Sequence, residues 1–169
     1  GKEVWNIEMP GNAAFGSNPD IGAIADGYMQ LESSLGHYVS LGKGKSATTV
    51  TAPDIVMPQG TGIVIKGTVL DLSPAQPNTP CVSKDSMTTQ MEYLHLQRSI
   101  SGLWGNETVI GVPVTLTAIA SDGTVYNLGS ATTNGYSGVF NLAWTPPAEG
   151  NYEIIASFAG TESYGSSMS

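Results

Sequence analysis

The chain has 169 residues, enough for one good-sized domain or for a small domain with a substantial appendage. Only 12% of them are charged, about half the usual share of a globular domain, while Gly (21) and Pro (10) recur throughout. Six Lys and Arg against 14 Asp and Glu leave a net charge of -8, which repels nucleic-acid backbones and anionic lipid surfaces and argues against both as partners.

The single cysteine, Cys81, makes no internal disulfide, and the two histidines, His37 and His95, fall short of a zinc-site spacing. No apolar run reaches the ~18 residues of a membrane span. No basic-then-apolar leader begins at Gly1, so the expectation for an exported protein is a mature or trimmed chain.

The first 45 residues offer three extended candidates, 3–8, 21–31 and 37–41, separated by Gly/Asn/Pro loops. This is too little to bury a core alone, so the segment needs a partner, either the rest of its own chain or a neighbouring copy. The domain boundary is placed there, with 1–45 an extended segment and 46–169 a folded module.

From residue 46 onward the chain reads as strands punctuated by turns. Residues 47–52 and 62–72 are rich in β-formers and give way to a Pro-rich loop over 73–80. The pattern then breaks: Asp85 is positioned to cap a helix over 86–97, because Met87, Met91 and Leu94 fall at the spacing that lines one helical face. Strands resume at 112–120, and Asp122-Gly123 supplies tight-turn chemistry for a hairpin returning through 124–131. A turn at Asn134, Gly135 and Gly138 precedes 139–145; Pro146, Pro147 and Gly150 lead into 152–159, where Tyr152, Ile154, Ala156 and Phe158 share one face. Short strands with turn signals at intervals of roughly 8 to 12 residues predict an all-β, immunoglobulin-like antiparallel sandwich with one short helix.

Chemistry-bearing constellations are scarce. Nothing local sets His37 or His95 beside a nucleophile and an orienting carboxylate, and no spaced pair of carboxylates marks a glycosidase, so no catalytic residue is assigned and an enzyme is not expected. Asp54, Asp71, Asp85, Asp122 and Glu149 lie near strand ends, where oxygen ligands for Ca²⁺ converge in other proteins, but without a spaced ligand loop they read as turn carboxylates. No metal and no cofactor is assigned. Trp144 and Tyr152 alternate with polar residues and read as core. Trp104, between glycines, is the aromatic best placed to contact a glycan. Asn106-Glu107-Thr108 is an acceptor signature for N-glycosylation, which belongs to exported proteins. The Met87/Met91/Leu94 helix with Tyr93 reads as a cap on one end or edge of the sandwich, with a partner-binding face as the alternative. Cys81 is either a free thiol or half of an intermolecular bridge.

One family resemblance bears on the whole. Leu41-Gly42-Lys43-Gly44-Lys45-Ser46-Ala47-Thr48-Thr49-Val50, Gly67-Thr68-Val69, Met91-Glu92-Tyr93, Gly111-Val112-Pro113-Val114, Trp144-Thr145-Pro146-Pro147 and Phe158-Ala159-Gly160-Thr161-Glu162-Ser163-Tyr164 resemble a C-terminal module of archaeal cell-surface proteins that carry quinoprotein-like β-propeller repeats. Upstream, Gly1-Lys2-Glu3-Val4-Trp5 and Ile24-Ala25-Asp26-Gly27-Tyr28 are similar to pieces of a single propeller blade. The resemblance implies an immunoglobulin-like fold outside the cell. One blade cannot close a ring, so it implies no quinone site. Against that pattern the chain ends at Ser169, before the final sandwich strand.

A sandwich one strand short leaves an unpaired edge beside an apolar groove, while the N-terminal segment holds extended pieces without a core. The two fit together as strand exchange between copies, which propagates head to tail into a homopolymer. The sequence therefore predicts a non-enzymatic subunit of an extracellular filament or sheath. The candidate donor residues are Val4, Trp5 and Ile7, or Ile21, Ile24 and Tyr28. A carbohydrate-binding or adhesive surface module using Trp104 is the alternative, a hydrolase ranks behind both, and a piece of a larger propeller protein is the fourth possibility.

Overall fold

Burial alternates with a period of two along the strands that follow Ser46, and this draws them into two facing sheets. The computed structural model describes residues 20–25, 28–32, 38–73, 77–96 and 108–169. The first three strands, β1 (Asp20–Ala25), β2 (Tyr28–Glu32) and β3 (Tyr38–Leu41), form an antiparallel sheet of their own in the order β1-β2-β3. The single extended piece expected over 21–31 is thus two strands of a hairpin, with Ile21 opposite Leu31 and Ile24 opposite Met29. The sequence signal was Asp26-Gly27 between the two strands, the same pair that marks the hairpin at Asp122-Gly123.

One layer of the sandwich is built on β5 (Ile63–Asp71). β4 (Ser46–Thr51) pairs along one side of it; β9 (Val139–Trp144) and the two-residue β6 (Thr79–Pro80) share the other. The second layer runs in the order β11-β10-β7-β8, from β7 (Ile110–Ala120), β8 (Val125–Asn134), β10 (Tyr152–Phe158) and the short β11 (Ser167–Met168). All named pairings are antiparallel, and the distribution of strands between the layers is that of an immunoglobulin-like sandwich.

The hairpin at Asp122-Gly123 forms as predicted. Asp122 Oδ1 accepts the Thr124 backbone N–H at 2.9 Å, and Gly123 takes the left-handed φ of 86° that the turn demands. Asn134 plays the equivalent part between β8 and β9, its Oδ1 accepting the Tyr136 N–H at 2.8 Å. The helix α1 (Met87–Leu96) is entered differently from the expectation. A single 3-10 turn over Lys84–Ser86 precedes it, Ser83 occupies the N-cap without a side-chain capping bond, and Asp85 sits inside the turn instead of capping. Ser86 is the residue that ties this entry down, its hydroxyl accepting the Ile110 N–H at 2.8 Å.

Between the layers lie Ile65 and Val69 of β5, Phe140 of β9, Val112, Val114, Leu116 and Ala118 of β7, and Ala156 and Phe158 of β10, all essentially inaccessible. Met87 and Tyr164 close this core at the end where α1 packs, and Gln90 Nε2 donates to the Pro80 carbonyl at 2.6 Å, fixing the helix there. This bears out the reading of the helix as a cap. Cys81 is also fully buried and belongs to the core. The loops between β4 and β5, β7 and β8, and β9 and β10 all lie at the opposite pole, as the strand order requires.

Candidate strand-addition site

The edge of the sandwich where β4 and β10 run side by side is filled at one end and open at the other. At the helical end the N- and C-terminal parts of the module are interwoven: Gly44 pairs in parallel with Tyr164, the Gly44 N–H donates to the Ser163 carbonyl at 3.2 Å, and the Gly165 N–H donates to the Gly44 carbonyl at 2.6 Å. β11 then pairs with β10, Ser167 opposite Phe158 and Met168 opposite Ser157, and the Ser169 N–H donates to the Ala156 carbonyl at 3.1 Å. The place beside β10 where the final sandwich strand was expected to be lacking is thus taken, along Ser157 and Phe158, by β11.

What seals β11 to β4 is polar. Ser167 Oγ lies 2.7 Å from both Ser46 Oγ and Thr48 Oγ1, and Ser46 Oγ donates to the Gly165 carbonyl at 2.6 Å. The one inward position of β11 carries the Ser167 hydroxyl, while Met168 points outward and is 67% exposed. The sequence signal for this seam was Ser46 and Thr48 at a period of two, where a core-facing strand normally carries apolar residues.

Among the described residues no strand pairs with Tyr152, Glu153, Ile154 or Ile155 on the side away from β7. Ala156 turns both its N–H and its C=O toward Ser169, so with a period of two Ile154 turns both of its own toward the open side. Burial follows the same division. On the inward face of β10, Phe158 and Ala156 are sealed whereas Ile154 and Tyr152 are half-buried; on β4, Thr48 is sealed whereas Val50 is half-buried, as is Ala52 just beyond it. Ile63, Leu142 and Trp144 at the same pole are also only partly covered. Tyr152 stacks edge-on against Trp144, with ring centroids 5.1 Å apart, and against Tyr126 at 6.0 Å. Trp144 accordingly packs against the core at its thin end, and Tyr152, half-buried, covers it from the rim.

The site thus offers unpaired backbone groups along β10 and a half-covered apolar row behind them. A strand laid antiparallel to β10 would extend the course of β11, and its inward side chains would meet Ile154 and Tyr152. Each half-exposed aliphatic so covered contributes about 1 kcal/mol, and each new backbone hydrogen bond a similar amount.

The other predicted residues distribute as follows. Val4, Trp5, Ile7, Trp104 and Asn106 lie outside the described residues. Ile21 and Ile24 are in β1 and Tyr28 is in β2, paired within their own sheet, and the Tyr28 hydroxyl donates to the Glu162 carbonyl at 3.0 Å. Of the carboxylates considered for Ca²⁺, Asp54, Asp85, Asp122 and Glu149 are exposed and Asp71 is buried, and no three metal-ligating side chains converge among the described residues. Asp71 instead accepts two bonds from Ser73, from its N–H at 2.7 Å and its hydroxyl at 2.5 Å, and burial pushes its carboxyl above the ordinary carboxylate range. Burial, with Asp71 nearby, also pushes the Cys81 thiol well above its usual range. No helix among the described residues is long and apolar enough to cross a membrane. No family model matches the chain, and the comparisons with curated proteins and solved structures found no match.

Proposed function

We propose that this protein is an extracellular structural building block, a subunit of a surface filament or sheath whose sandwich is completed by a strand from another copy. The observation that carries this reading is the step in burial along β10, from sealed Ala156 to half-open Ile154, beside which no strand lies among the described residues. An edge with free backbone groups and an apolar row behind it invites strand addition.

The donor is the segment containing Val4, Trp5 and Ile7. Trp5 and Ile7 alternate with Asn6 and Glu8, so an extended segment turns both apolar side chains to one face, as a groove of two inward positions requires, and leaves Val4 on the other face with Asn6 and Glu8. The alternative donor, with Ile21, Ile24 and Tyr28, is already paired in a sheet of its own chain, and using it would mean opening that sheet. Low charge supports close subunit packing, because few ammonium groups need be stripped of water. The Asn106-Glu107-Thr108 signature supports an exported protein.

The test is deletion of residues 1–11, followed by light scattering and electron microscopy of the purified chain. Long assemblies should form from the parent and fail to form from the deletion, and a peptide spanning residues 1–11 should bind the deleted chain. Assemblies that persist unchanged would reject this donor, and a parent that stays monomeric at every concentration would reject the building-block reading.

A further inference from the structure

The strands of the sandwich carry very few charges, and their placement says how copies stack. Across β4 to β11 the charged residues are Lys66, Asp71 and Glu153. Asp71 is buried, so each sheet presents one charge to the outside, and the two have opposite sign. Lys66 stands near the middle of the outer face of β4-β5-β9, in register with Thr51 and Asn141 and flanked along β5 by exposed Val64. Glu153 stands on the outer face of β11-β10-β7-β8, in register with Ile119, which is itself opposite exposed Val125. The rest of both outer faces is uncharged: aliphatic, hydroxyl or amide, with Met168 on the Glu153 face. A sheet that faces only water normally mixes in charges of both signs, which keep copies apart.

We propose that the two outer faces are an interface pair, the Lys66 face of one copy packing on the Glu153 face of the next. The occupant is a second copy because the complementary charge lies on the opposite face of the same chain. Like faces brought together would place two lysines or two glutamates in one weakly solvated layer, whereas unlike faces bring Lys66 to Glu153. Such a contact is heterologous and repeats without closing. It rests on the building-block reading but uses faces where strand addition uses edges, so it adds a second direction of growth and turns strand-linked filaments into bundles or layers.

The test uses charge reversal in the full chain. Lys66→Glu and Glu153→Lys should each raise the concentration needed for lateral association by about tenfold or more. An equimolar mixture of the two single variants should recover it, since every junction between unlike variants again joins opposite charges, and the double variant should recover it alone. Both side chains are exposed on outer faces, so the melting temperature of each variant should match the parent's. Single variants that bundle like the parent, or a mixture and double variant that fail to recover, would overturn the proposal. If removal of residues 1–11 abolishes filaments while charge reversal changes nothing, strand addition stands and face stacking falls; if layers survive the deletion yet remain sensitive to charge reversal, face stacking stands and strand addition falls.

Discussion

Ala156 and Ile154 point inward from the same strand two residues apart, yet Ala156 is inaccessible and Ile154 is half-buried. Both have β7 on one side, opposite Leu116 and Ala118. They differ in that Ala156 has Ser169 on the other side and Ile154 has no strand there among the described residues. Burial in this sandwich is thus set at the edge by a single neighbour.

That difference is measurable one amide at a time. Ile155 directs its N–H toward β7 and Ile154 toward the open edge, so the two isoleucines are adjacent controls for each other. In the monomer the Ile154 amide should exchange with solvent at least about tenfold faster than that of Ile155, the factor for ~1.4 kcal/mol of opening free energy. In the assembled protein the gap should close. Equal protection in the monomer would mean that this edge is already covered.

A second prediction concerns the close approach of two strands. Gly67 lies opposite Phe140, and a Cβ at residue 67 would fall 2.0 Å from the Thr49 carbonyl oxygen and 2.5 Å from the Phe140 ring. Gly67→Ala should therefore destabilise the sandwich by about 1–3 kcal/mol through overpacking. Phe140→Leu added to it should not restore stability, because the backbone contact with Thr49 remains. Denaturant melts of the two variants check this.

The long strands of the sandwich were legible because each is an alternating run bounded by Gly, Pro, Asn or Asp; Asp122-Gly123 even marked its hairpin to the residue. Three features went unread. β1 and β2 read as one extended piece although Asp26-Gly27, the same pair as Asp122-Gly123, stands between them, so here the signal was present and missed. β11 went unseen because it consists of Ser167 and Met168 with the Ser167 hydroxyl turned inward, a pattern that hydrophobic periodicity cannot find. The entry to α1 was assigned to Asp85 on the general preference of helices for acidic caps, whereas tertiary bonding through Ser86 to Ile110 fixed it instead. The candidate site was legible in outline only: an open edge was implied by the family resemblance alone, and the half-covered row of Val50, Ile154 and Tyr152 depends on which strands share that edge.

Cys81 offers a third test. The sequence left it open as a free thiol or an intermolecular bridge; buried and with its thiol pushed well above the usual range, it is a poor nucleophile in the folded state. A thiol reagent at pH 8 should leave the native protein unmodified over hours and label it fully in denaturant. Non-reducing gels of the assembled protein should show no linked dimer. Rapid native labelling would mean that the loop between β6 and α1 opens readily.

The last prediction follows from Asp71, whose carboxyl is pushed up chiefly by burial, the two bonds from Ser73 only partly offsetting it. A carboxyl with a raised folded pKa binds its proton more tightly in the folded chain than in the unfolded one. Its contribution to stability is therefore full below the unfolded value of 3.8 and is lost as pH rises through the folded value. Asp122 acts in the opposite sense, since the Thr124 N–H lowers its pKa, so a bare pH profile mixes the two. Comparison with Asp71→Asn separates them, because the amide oxygen can still accept from Ser73 and carries no charge at any pH. The advantage of the Asn variant over the parent, measured by denaturant melts, should be greatest near pH 7 and shrink toward pH 4. A difference that stays constant across that range, or widens on acidification, would show that Asp71 ionises in the folded protein at least as easily as in the unfolded chain.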